Sequence, residues 1–197
     1  MINTRDLPKG KLNIALVGAR IDGQAGVILD ALSYYDNVKV VAFVDNTPNK
    51  INEEINGIPV VGNIDEMTGF DDIKIDAVHV AIGDNKARYD IYKELESMGF
   101  QLLSIIHPSA VISPSAKIGE GCFVGANAVI QNNVIINDYV LINTAALIEH
   151  DNVIGKAVHI APGACTAGRV EIHDLAFLGI GALVVPDVTI GRSAFIN

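Results

Sequence analysis

A strict period of six residues, running from about Ala110 to the end of the chain, constrains this sequence more than any other feature. Stepping by six from Ile112 through Ile118, Val124 and Ile130 to Ile196, fourteen of fifteen positions are aliphatic and the exception is Thr166. Two places earlier, from Ala110 through Ala116, Cys122 and Ala128 to Ala194, fourteen of fifteen are small or β-branched and the exception is Asn152. Neither a helix nor a half-buried strand requires that period. A coil of three short strands turning at triangular corners does, with the bulky aliphatic filling the interior and the small residue beside the corner. Three hexads make one coil, so the stretch supplies about five coils stacked roughly 4.8 Å apart, a left-handed parallel β-helix.

The chain changes character near His107-Pro108, which divides it into residues 1–106 and 107–197. In the first part short apolar runs alternate with helical stretches, as in parallel α/β units. Lys11 to Ala19 reads as a buried strand. A glycine-bearing loop follows, and Gln24 to Tyr34 carries Val27, Ile28, Ala31 and Leu32 at helical spacing. The next strand ends at Asp45. After a short strand around IPVVG and a third from Asp76 to Gly83, a helix from Lys86 to Met98 carries Ile91, Tyr92, Leu95 and Met98, and Gly99 stops it. The order is that of a small Rossmann-like half, whose ligands sit beyond the carboxyl ends of the strands, at Gly18, Gly23, Asp45 and Gly83. The glycines do not match GxGxxG, so a plain tight turn explains them equally well. Asp45 can accept hydrogen bonds from a ribose or a base, or merely form a turn ahead of Asn46. No GKS or GKT is present to make an ATP-hydrolysing phosphate loop.

A net charge of −9 without a cluster of Lys or Arg argues against nucleic acid as a partner. No run of eighteen apolar residues and no secretory pattern at the start point to a cytoplasmic protein without a membrane span. Cys122 and Cys165 have no CxxC or Cys/His spacing and read as small core residues, with no neighbouring base to make either a nucleophile.

One stretch of the repeat carries chemistry, Asn143 to Gly168. His150 lies between Glu149 and Asp151, at or near an exposed corner. An imidazole beside a carboxylate is a candidate general base, because the carboxylate fixes its tautomer and stabilises its charged form. A solvated surface histidine is the plainer reading. His159 turns outward from the prism, to bind a ligand or to line a contact between prisms. His79 and His173 read as structural, and the absence of HxxxxH argues against a zinc site. Bare prism faces and open ends predict a trimer, with concave sites in the clefts between prisms.

Six segments carry a family resemblance: LVGA, VDN, VAIGDN (Val80 to Asn85), IHPSAVISPSA (Ile106 to Ala116), INTAALIEHD (Ile142 to Asp151) and HIAPGACTAGRV (His159 to Val170). Over nearly its whole length the chain resembles bacterial sugar O-acyltransferases of the sialic-acid type and the N-acetyltransferases of nucleotide-linked 4-amino-4,6-dideoxy sugars. The resemblance implies acetyl-CoA as co-substrate, no metal, and a homotrimer with active sites between subunits. It implies His150 as the base that takes a proton from the sugar amine, with Asp151 raising its basicity. His159 and Gly168 would contact the coenzyme, the Gly168 N–H facing the thioester oxygen. Asn143 would help place the sugar. The nucleotide, expected to be UDP, maps onto Asp22, Gly23 and Gln24, Asp45 and Asn46, and Gly83. O-acetylation of a sialic-acid-like sugar is the alternative chemistry, and a non-catalytic trimeric scaffold or nucleotide-sugar sensor the alternative without chemistry. Two departures stand out. The family's first loop reads GAxGHG, whereas Arg20 and Ile21 lengthen it here and Gln24 takes the place of the histidine. The family also runs on past the position of Asn197 with a further coil and a tail, which predicts a truncated chain.

Overall fold

A computed structural model describes residues 2–7, 10–47, 51, 53–69 and 73–197. The N-terminal part is built on a three-stranded parallel sheet in which β2 (Leu12–Val17) lies between β3 (Val38–Val44) and β6 (Ala77–Val80). All of β2 except Asn13 is buried, as a central parallel strand must be. Helix α1 (Gln24–Leu32) packs Ala25, Ile28, Ala31 and Leu32 inward and ends two residues before Tyr34. Helix α2 (Asn85–Ser97) starts at Asp84, whose carboxylate accepts the Ala87 N–H at 2.8 Å, and Gly99 closes it at φ +82°. The segment around IPVVG is a short hairpin of β4 (Glu54–Ile55) and β5 (Ile58–Pro59), turned by Asn56 and Gly57 at φ +53° and +77°.

The prism begins earlier than residue 107, with β7 (Leu103–Ile106). Ser104 and Ile106 already occupy the small and aliphatic slots of the period. Strand β1 (Ile2–Asn3) pairs with the outer edge of β7. Fifteen two-residue strands follow, from Val111–Ile112 to Phe195–Ile196. Each pairs in parallel with the strand three places on, so a first face carries Phe123, Leu141, His159, Phe177 and Phe195 outward. The second face carries Val129, Leu147, Cys165 and Leu183, and the third Ile135, Val153, Glu171 and Thr189. Every sixth residue from Gly121 to Ser193 is left-handed, with φ between +51° and +67°. These residues turn the corners. The aliphatic and small positions of the repeat make one buried cluster along the axis, each aliphatic contributing about 1.5–3 kcal/mol by burial.

The N-terminal part covers the first face. Leu103, Ile105, Phe123 and Leu141 join the core of α1 and β2, while Tyr139 and Ala157 join that of Tyr92 and Leu95. The corner between the second and third faces is therefore the one opposite the N-terminal part. No helix among the described residues is long and apolar enough to cross a membrane.

Candidate active site

His150 stands on that opposite corner. Asp151, left-handed at φ +59°, folds its carboxylate back so that Oδ2 lies 2.8 Å from His150 Nδ1. A carboxylate only accepts, so Nδ1 carries the proton and Nε2 presents its lone pair. The hydrogen bond to His150 and a second from Asn133 Nδ2, at 3.0 Å, hold the Asp151 carboxyl below its ordinary pKa. The ring lies on Gly168, where a Cβ would stand 2.5 Å from Cε1 and 2.6 Å from Nε2. Only glycine gives the imidazole that seat. Beneath it Asn152 is buried in the prism: Nδ2 donates to the carbonyls of Glu149 and Ala167, and Oδ1 accepts the Val170 N–H at 3.1 Å. The polar exception to the small-residue register thus anchors the backbone on both sides of His150.

The second group of residues lies beyond the carboxyl ends of the parallel strands. A cleft of about 530 Å³ is lined by Gly18, Gly23, Gln24, Asp45 and Gly83, with Arg20 and Thr47. Gly18 has φ +100° and a Cβ there would meet Ile82 at 2.9 Å, while one on Gly26 would meet the Ile21 carbonyl at 2.2 Å. The loop is thus pressed against both α1 and the segment that follows β6. The Asp45 carboxylate accepts the N–H of Ala19 at 2.8 Å and of Thr47 at 2.9 Å, tying the first loop to the second. Asn46 accepts the Ile64 N–H at 3.1 Å and lies behind the cleft. Gln24 Nε2 is buried without a partner among the described residues. Asp22 lies in a neighbouring groove beside Gly26, Phe123 and Thr144, in contact with Arg20 at 3.2 Å.

His159 and Asn143 lie together on the covered first face, Asn143 Nδ2 being 3.5 Å from His159 Nε2. His159 is 9% exposed, and Phe177 packs edge-on against it at 4.8 Å. Burial, reinforced by the Arg88 cation, lowers its pKa to about 4, so it is neutral. Arg88, 1% exposed, is a functional candidate that sequence reasoning missed. Its guanidinium donates to the carbonyls of Gly83, Tyr139 and Ala157 at 2.9 Å each. It thus joins the rim of the cleft to the prism. Its signal in the sequence was a lone cation on the buried side of α2, one turn after the Asp84 cap.

The sequence-derived residues therefore fall into two sets, the cleft with Asn143 and His159 on one side, and His150, Asp151 and Gly168 on the opposite corner. Among the described residues no group of His, Cys, Asp and Glu is placed to hold a metal.

Residues 13–95 match the PglD N-terminal domain, and residues 104–132 and 115–150 match the bacterial transferase hexapeptide (six repeats). Perosamine N-acetyltransferase from Caulobacter crescentus, solved as a histidine-to-asparagine mutant with CoA and GDP-perosamine, is 35% identical. The match covers 96% of this chain and 87% of that one, with a TM-score of 0.84. The acetyltransferase domain of PglB from Neisseria gonorrhoeae, in complex with acetyl coenzyme A, is 29% identical over 95% of this chain and 93% of that one, with a TM-score of 0.72. WeeI from Acinetobacter baumannii shares the fold at 24% identity, over 95% of each chain, with a TM-score of 0.74. With both halves matched and this identity over nearly the full length, the chain belongs to the PglD-type family of hexapeptide-repeat sugar acetyltransferases.

Proposed function

We infer that this protein transfers the acetyl group of acetyl-CoA to the amino group of a nucleotide-linked 4-amino-4,6-dideoxy sugar, with His150 as general base. The observation that carries the reading is the His150–Asp151 pair seated on Gly168, with Nδ1 engaged and Nε2 open. The sugar nitrogen attacks the thioester carbonyl, a C–N bond forms, and the C–S bond breaks as coenzyme A leaves as a thiolate. The proton from nitrogen passes to His150 Nε2 and from there to the thiolate. No covalent enzyme intermediate is needed: burial pushes the Cys122 thiol up to about 12 and raises that of Cys165 as well, which disfavours either as a nucleophile.

The nucleotide occupies the cleft at Gly18, Gly23, Asp45 and Gly83. A sugar attached there cannot meet His150 of the same chain, which stands on the opposite corner of the prism. A second copy must supply it, and a homotrimer with sites between subunits provides that geometry. Gln24 Nε2, buried and without a partner among the described residues, is the polar atom that a ligand entering the cleft would engage.

Thermal stabilisation against UDP-, dTDP-, GDP- and CMP-linked sugars, with and without acetyl-CoA, identifies the nucleotide, since a ligand of the native state raises the melting point. UDP was the expectation from sequence, and the GDP sugar bound by the Caulobacter relative makes these two the first to compare. With the sugar in hand, His150→Ala lowers kcat by about 10²–10⁴-fold, the range of general base catalysis. Acetyl transfer at the wild-type rate in that variant would remove His150 from the mechanism.

A further inference from the structure

The corner that carries His150 is a ladder. Asn133, Asp151, Arg169 and Asp187 occupy the same left-handed position in four successive coils, at φ +59°, +59°, +58° and +60°. Their side chains pair along the stack. Asn133 Nδ2 donates to Asp151 Oδ1 at 3.0 Å, while the other oxygen of that carboxylate faces His150 Nδ1 at 2.8 Å. Arg169 turns the other way and forks onto Asp187, with Nε and Nη2 at 2.6 and 2.9 Å from its two oxygens. Arg169 stands one coil, about 4.8 Å, from Asp151, and a guanidinium prefers a bidentate carboxylate to a shared one. Without Asp187 the nearest carboxylate on the ladder is the one that orients His150. Glu149 does not take that place: its carboxylate accepts the His150 backbone N–H at 3.3 Å.

We propose that Asn133 and Asp187 are positioning residues for the acetyl-transfer base, Asn133 fixing the Asp151 carboxylate and Asp187 keeping Arg169 away from it. The His150 and Asp151 side chains are 40% and 45% exposed. An ion pair that open holds a ring in one orientation only weakly. A second hydrogen bond on the far oxygen holds the carboxylate against the ring, so that an acceptor stays at Nδ1 and the alternative ring tautomer is suppressed. The hydrogen bonds from His150 and then from Asn133 hold the Asp151 carboxyl below its ordinary pKa, which accords with a carboxylate kept charged at this place.

The proposal rests on His150 as base, and its test separates the two. Asn133→Gly keeps a residue at ease with positive φ while deleting the amide, and Asn133→Asp replaces the donor with a repelling carboxylate. Asp187→Asn releases Arg169. The first readout is the ¹⁵N spectrum of the full-length protein, in which the His150 ring is assigned by its loss in His150→Asn. The wild type shows the proton on Nδ1, and each variant shows a mixture of tautomers. The second is kinetic: kcat falls about threefold to tenfold, the worth of one hydrogen bond, with KM for the nucleotide sugar unchanged. In the pair Asp187→Asn with Arg169→Gln the competing cation is gone, and both readouts return toward wild type. If the His150 tautomer is unchanged in all three single variants, or the double variant does not recover, the proposal is wrong. A changed tautomer with an unchanged kcat would uphold the positioning and sink His150 as the base.

Discussion

Asn152 shows what one side chain contributes to this site. It is fully buried among aliphatic and small residues, a costly place for an amide unless every polar atom is met. Its hydrogen bonds to the carbonyls of Glu149 and Ala167 and to the Val170 N–H meet them, and brace the coil carrying His150 against the coil carrying Gly168. Asn152→Ala restores the sequence register and yet is expected to destabilise the protein, because those backbone groups are left unpaired at a cost of about 1–3 kcal/mol. The melting point drops by roughly 2–12 °C on that cost, and kcat falls with it. An unchanged melting point would mean that water takes over the amide's bonds. Asn152 and Thr166 could be singled out in the sequence because a strict repeat makes any exception visible. Asn133 could not, since an asparagine among polar corner residues looks like an ordinary turn former.

At the scale of the element, α2 is fixed to three consecutive corners of the prism. Arg88 reaches the carbonyls of Tyr139 and Ala157, and Asn85 Nδ2 those of Leu175 and Ala176 at 3.0 and 2.9 Å. The left-handed corner leaves these carbonyls pointing outward, and the start of α2 meets them one coil after another. Arg88 does so through neutral oxygens, and burial lowers its pKa only to about 10, so it stays charged. Arg88→Met leaves buried carbonyls unmet and frees the Gly83 rim. Its urea midpoint falls by the equivalent of about 1–3 kcal/mol, the cost of leaving buried acceptors unmet. Arg88→Lys recovers little, because a point charge cannot serve Gly83, Tyr139 and Ala157 together. A change within about 0.5 kcal/mol for Arg88→Met, the size of an ordinary surface substitution, would contradict this bracing role.

The same scale explains what could be read from the sequence. The three parallel strands, α2 and the hexads were legible because each follows a local period. The left-handed corners were not: Tyr139, Ala145, Ala157 and Leu175 have no preference for positive φ, and stacking imposes it on them. The hairpin at Asn56-Gly57 carried a strong turn signal that its short flanking strands obscured.

At the scale of the molecule, the two halves of the site face apart. The N-terminal part sits on the first face, and His150 is on the corner opposite, so the cleft and the His150–Asp151 pair of one chain cannot serve each other. The distribution could not be read from sequence, where His150 and His159 lie nine residues apart and look like neighbours. Half a coil separates them, and half a coil is the other side of the prism. Shared sites make a distinct prediction for mixed assemblies. Gly83→Trp puts a bulky ring at the rim of the cleft, where a Cβ meets nothing within 4 Å, and is expected to abolish nucleotide-sugar binding. His150→Asn abolishes the base. Each homo-oligomer is inactive, but in trimers assembled at random from equal amounts of the two chains, about one quarter of the sites join an intact cleft to an intact His150 of the neighbour. Co-expression with different tags, followed by isolation of the mixed species, removes the inactive homotrimers and leaves one intact site in three, so about a third of wild-type activity should be restored. If the mixed trimers are as inactive as their parents, each chain must complete its own site, and His150 cannot be the group that meets the sugar.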